Sequence, residues 1–181
     1  MMITRKFVAA LGAACLLFSF AGAAIAADVA IGVVDVQSLL TNSDAAKSIQ
    51  KQVQAEREKF LSELSKHEDV LRDMEKALVD GAKDLSDEQK VQKKKEFEEK
   101  FMETREIAQK GKGKIDKALV SAMSDLKDEA FKAIEFVAKD KGYNLILARQ
   151  QVVASDKAID ISKESLKKLN DSISSITLKL D

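Results

Sequence analysis

The histidines and cysteines on which most metal and thiol sites depend are almost absent from this chain: 181 residues hold one histidine, His67, and one cysteine, Cys15. A zinc site needs three or four nitrogen or sulfur ligands, and a thiol nucleophile needs a base beside it, so neither can be assembled within one chain. Gly111-Lys112-Gly113-Lys114 has the glycines and lysines of a phosphate loop, but no strand precedes it and it lies inside a helical pattern. The carboxylate pairs Glu98-Glu99 and Asp128-Glu129 are adjacent in sequence, which makes them diverge around a helix and reads as a solvated face. Thiol chemistry is thereby excluded, the common metal and nucleotide sites cannot be assembled within one chain, and no cofactor is expected.

What remains is softer chemistry. Phe97 and Phe101 share one helix face with Met102 beside them. They read either as an apolar patch that holds other chains weakly, or as packing within a helical seam, and the seam is the plainer reading for Phe101. His67 occupies a seam position and reads as a tolerated polar residue reaching partly into water, with pH sensing as the alternative. Gly111 and Gly113 fall in one helical turn, where each costs about 1 kcal/mol relative to Ala. They predict either a hinge or a close approach to the facing helix near Val53 to Glu56.

The elements that position these residues follow from periodicity. Val29 to Val36 is a short, nearly continuous apolar run, as expected of a strand buried on both faces. Gln37 to Leu40 can form a helical turn, and Asn42-Ser43-Asp44 offers capping oxygens. From there Ala46, Ile49, Val53, Phe60, Leu64, His67, Leu71, Met74 and Leu78 recur at spacings of three and four, with Glu56 between. The pattern breaks over Asp80 to Leu85, and Ser86-Asp87-Glu88-Gln89 matches a capping box that restarts a helix. On the return, Phe101, Ala108, Ile115 and Ala122 recur every seven residues, with Thr104, Gly111 and Ala118 between them.

With no proline to interrupt it, residues 43–141 therefore read as an antiparallel helical hairpin with its tip near 80–86. Toward the base Leu119, Met123, Leu126, Ala130, Ala133 and Val137 form one stripe, with Phe131, Ile134 and Phe136 adding apolar surface beside it. Lys141-Gly142 is a helix stop, Tyr143 to Ala148 a second strand, and Val152-Val153-Ala154 a third, joined by a tight connection around Arg149 to Gln151. Ser162 is placed as the cap of a final helix carrying Leu166, Leu169, Ile173, Ile176 and Leu180, whose last residues also alternate like a strand. Residues 27–42 and 142–181 thus form a small β-rich body. Its sheet is too small to stand alone or to hide its edges, which calls for oligomerisation.

Residues 1–26 have the layout of a secretory leader: Arg5-Lys6, an apolar run from Phe7 to Phe20, and Ala24-Ile25-Ala26 as a small-x-small cleavage site before Ala27. The run is too short and too rich in Ala and Gly for a membrane-spanning helix, and no Leu stands three positions before Cys15 to make a lipoprotein signal. Cleavage removes Cys15, so no disulfides are expected. The full chain balances 30 basic against 30 acidic residues. Loss of Arg5 and Lys6 leaves the mature chain slightly acidic, and no basic nucleic-acid footprint is present.

Ile31-Gly32-Val33-Val34-Asp35-Val36 with Leu39-Leu40, the charged hairpin, Gly142-Tyr143-Asn144-Leu145-Ile146-Leu147 and Ala158-Ile159-Asp160-Ile161-Ser162 together resemble the Skp, or OmpH-like, periplasmic chaperones. The resemblance covers nearly all of the mature chain. It implies an α+β, mainly α fold in which a coiled-coil hairpin projects from a small β body completed by trimerisation. The trimer body would use Val29, Ile31, Val33, Val34, Tyr143, Leu145 and Leu147. It further implies an ATP-independent periplasmic holdase, not an enzyme, that keeps unfolded outer-membrane β-barrel precursors in a cavity between its arms until they reach the insertion machinery. Phe97, Phe101 and Met102 are then candidate contacts for those precursors, and Gly111 and Gly113 the candidate hinge.

Some relatives are basic and are thought to touch lipopolysaccharide through arm Lys and Arg. Here the one concentrated basic stretch, Lys90 with Lys93, Lys94 and Lys95, is followed at once by Glu96, Glu98 and Glu99, so the lipid site is not carried over. The alternative function is a structural coiled-coil adaptor or spacer of the cell envelope that docks one folded partner.

Overall fold

The computed structural model describes residues 28–83 and 85–180, so the leader, its cleavage site and Cys15 lie outside the described residues. Strand β1 spans Ile31–Val34, and Asp35 then caps helix α1 (Val36–Asn42), its carboxylate accepting from the Ser38 amide at 2.9 Å. Ser43 ends α1 and caps α2 (Asp44–Asp80), its hydroxyl accepting from the Ala46 amide. After a 3-10 turn at Gly81–Lys83, the capping box forms as the sequence predicts. The Gln89 amide donates to the Ser86 hydroxyl, and the Gln89 side chain accepts from the Ser86 amide. Helix α3 (Asp87–Asp140) then runs for 54 residues, a length of roughly 80 Å at 1.5 Å per residue.

The stop at the end of α3 is a Schellman motif. Gly142 takes φ +74°, the Tyr143 amide donates to the Ala138 carbonyl and the Gly142 amide to that of Lys139. A glycine is required at this left-handed position. Strand β2 (Leu145–Ala148) follows and pairs parallel with β1, Val33 lying opposite Leu147. The whole hairpin is thus the crossover between two parallel strands.

Two expectations fail in the segment after β2. Val152-Val153-Ala154 is irregular, preceded by a 3-10 turn at Arg149–Gln151, and the third strand is replaced by a single parallel bridge from Val33 to Asp160. The Ile161 amide donates to the Val33 carbonyl at 2.9 Å, so among the described residues β1 has a neighbour on each side while β2 keeps an open edge. Ser162 also does not cap α4 (Ser162–Ser172); it is the first helical residue, and its hydroxyl accepts from the Asp35 amide and donates to the Asp160 carboxylate. From Ile173 the chain is extended, so the strand-like alternation prevails over helix.

Asp160 is the polar knot of this junction, since Arg149 and both donor groups of Ser162 converge on it. Burial works to raise its carboxyl, but the Ser162 hydroxyl and amide and the Arg149 charge outweigh it and hold it below the usual carboxylate range. A folded-state value depressed in this way stabilises the fold fully above the unfolded value of about 4 and ceases to do so as pH falls through the lowered one. Asp160→Asn is therefore expected to melt lower than wild type at pH 7 but to lose less on going from pH 5 to pH 3. Thermal melts at the two acidities check this.

One core holds the body and the foot of the arm together. Leu39, Ile49, Leu126, Ile161 and Leu169 are fully buried in it, with Val34 and Val53 alongside. Above Val53 the seam of α2 thins to half-buried residues at Phe60, Leu64, His67, Leu71, Met74 and Leu78, the positions predicted from spacing. An arm of this kind has no interior.

Candidate functional site

Long α3 carries charged residues on most of its surface, and pairs three or four residues apart neutralise one another along it. Lys100 to Glu103 (2.7 Å) and Lys132 to Glu129 (2.6 Å) are examples. These pairs raise Lys132 and lower Glu103 through the hydrogen bond first and the opposite charge second, but at exposed sites they are solvated decoration of the helix rather than chemistry.

Against that background Phe101 is 48% exposed and Met102 60% exposed. Phe97 is half-buried and stacks on Phe101, ring centroids 6.3 Å apart. Phe101 therefore does not pack in the seam, contrary to the plainer expectation. The seam passes instead through Phe97, Lys100 and buried Thr104, whose hydroxyl donates to the Lys100 carbonyl at 2.9 Å. A helix drifts about 20° per heptad from a strict seven-residue repeat. The repeat Phe101, Ala108, Ile115, Ala122 accumulates three such steps, enough to carry Phe101 out of the groove. Met102 lies over a shallow depression edged by Glu98, Glu99, Glu103, Arg105 and Glu106.

The two glycines also part company. A Cβ on Gly111 would clash with the Phe60 ring, whereas one on Gly113 would meet nothing within 4 Å. Gly111 lets the facing helix approach, and the residue it faces is Phe60, about one turn beyond the expected Val53 to Glu56. Gly113 packs against nothing, so Gly113→Ala is expected to stabilise the arm by up to ~1 kcal/mol, read from urea unfolding. His67 sits half-buried at its seam position.

Residues assigned to an oligomeric body divide into two sets. Val33 and Val34 are buried within the single chain and belong to its own core. Val29, Ile31 and Leu145 are exposed, while Tyr143 and Leu147 are half-buried. Beside them a groove of about 540 Å³ opens at the foot of α3, lined by Val36, Phe131, Ile134, Tyr143 and Ile146 among others. Phe131 is exposed in this groove; Phe136, exposed outside it, carries the Lys168 ammonium 3.9 Å from its ring centroid. Half-buried Ile146 and fully exposed Val153, read from sequence only as strand residues, were not among those assigned to the oligomeric body. Their signal was weak, since two or three apolar residues in a short segment have no periodicity.

Among the described residues no helix is long and apolar enough to cross a membrane. No curated protein matches the chain. The fold is shared with the solved structure of a proposed OmpH-like outer membrane chaperone from Caulobacter crescentus CB15, at a TM-score of 0.80 and 16% identity, over 84% of this chain and 90% of that one. The family model for outer membrane protein (OmpH-like) matches residues 30–169, from the start of β1 through most of α4. That span takes in both strands, the complete hairpin and the Asp160 junction, and the chain belongs to the OmpH-like family.

Proposed function

We propose that the protein is an ATP-independent periplasmic holdase chaperone that binds unfolded outer-membrane β-barrel precursors between its arms and prevents their aggregation. The observation that carries this reading is the paired exposure of Phe101 and Met102 on a largely charged arm, where Leu61, Val70, Val79, Val91 and Val120 are further exposed apolar residues. Membership of the OmpH-like family supports a chaperone role in the same direction. Holding needs no catalytic group. It needs many weak contacts, each quick to release, and several linked arms multiply such contacts by raising effective concentration.

Assembly of the arms follows from the foot. The open edge of β2, exposed Ile31 and Leu145 on one face of the strand pair with Val29 before it, and the groove lined by Ile146 and Phe131 on the other face are unpartnered, and a homotrimer would join copies of the chain there.

Light scattering after dilution of a urea-unfolded porin tests the reading. Wild type should suppress aggregation of several unrelated unfolded barrels, and Phe101→Ser with Met102→Ser should weaken suppression several-fold while helix content stays unchanged. Equal suppression by the double variant would remove the patch from the binding surface. No suppression by wild type, together with stoichiometric binding of one folded envelope protein, would replace the holdase by an adaptor.

A further inference from the structure

The extended segment after α4 does not end free in solvent. Ile176 is buried, and Ile173 and Leu178 pack partly buried on the common core, while Ser174, Ser175, Thr177 and Lys179 face outward. The segment is held by one side chain of the arm. Gln52 on α2 donates from Nε2 to the Ile176 carbonyl at 2.7 Å and accepts at Oε1 from the Leu178 amide at 3.1 Å. A single carboxamide thus contacts the backbone groups on either side of Thr177, as the N–H and C=O of one residue in a parallel neighbouring strand would. Leu180 then lines the groove beside Phe60, Gly111 and Ile115.

We propose that residues 173–180 are a strap that binds the foot of the arm to the body and sets the stiffness of the arm up to the Phe60–Gly111 contact. From Thr177, between the two Gln52 bonds, to Leu180 the extended segment spans about 10 Å, against about 12 Å of α2 from Gln52 to Phe60, so it follows the lower arm without slack. Its apolar side chains widen a seam that has no second layer above this point. Strap occupancy therefore divides the arm into a braced lower part and a free upper part, whatever the arms hold.

Gln52→Ala in the full chain tests this, because it removes both hydrogen bonds and leaves the packing of Ile173, Ile176 and Leu178 in place. Site-resolved hydrogen exchange should show the Leu178 amide exchanging about tenfold faster, the size expected for net loss of a hydrogen bond. Exchange through 53–60 and 111–119 should also rise, with 64–78 and both strands unchanged. Gln52→Glu, which keeps an acceptor for the Leu178 amide but loses the donor to Ile176, should fall between the two. A chain ending at Ser172 should show the largest rise in the lower arm, with helix content measured alongside. The strap is overturned if the wild-type Leu178 amide exchanges like an unstructured peptide, or if releasing the segment leaves 53–60 and 111–119 as protected as before.

Discussion

Val33→Asp is expected to abolish the cooperative unfolding transition of the protein. Val33 is 1% exposed, lies opposite Leu147 in the parallel pair, and accepts from the Ile161 amide through its carbonyl, so its side chain stands where β1, β2 and the approach to α4 meet. An unpaired carboxylate there costs several kcal/mol even after it takes up a proton. Whole domains are stable by about 5–15 kcal/mol, so one such charge is comparable with the total. Circular dichroism melts provide the measurement, and a variant melting cooperatively within a few degrees of wild type would contradict the packing of β1. Val29→Asp is the paired control. Val29 precedes the same strand but is exposed, so this variant should keep the fold while losing assembly in size-exclusion chromatography if copies join at the foot.

The second large effect is expected at Gly111. In most helix interiors Gly→Ala stabilises by up to about 1 kcal/mol, yet here the new methyl would clash with Cε2 of Phe60. Overpacking of that kind costs typically about 1–3 kcal/mol, which exceeds the propensity gain and makes the net change destabilising. Phe60→Leu should lose packing by itself but relieve the clash when combined with Gly111→Ala. A double-mutant cycle in urea should therefore return a favourable coupling of about 1 kcal/mol or more between the two substitutions. Additive effects would mean that the helices are set farther apart at this turn. Opposite signs at Gly111 and Gly113, two residues apart in one helix, isolate the tertiary contribution from the helical one.

Much of this architecture is short-range and was accessible to a reader of the sequence. The capping box at Ser86, the cap at Ser43, the stop at Gly142 and the half-buried stripe from Phe60 to Leu78 depend on residues within a few positions of each other, and local hydrogen bonding with a 3.6-residue period decides them. The single His and Cys likewise bound the chemistry before any fold is known. What the tertiary structure alone decided is long-range registration. Parallel pairing of β1 with β2, separated by the entire hairpin, and replacement of a third strand by the Val33–Asp160 bridge depend on which segments the core brings together. Phe101 turned outward because helical drift over three heptads outweighed a seven-residue repeat, and Phe60 rather than Val53 met Gly111 because the axial offset of two long helices is not written in either one. The course of residues 173–180 onto Gln52 belongs to the same class. An alternating apolar segment needs an edge or groove to settle on, and that groove exists only after α2, α3 and α4 have packed.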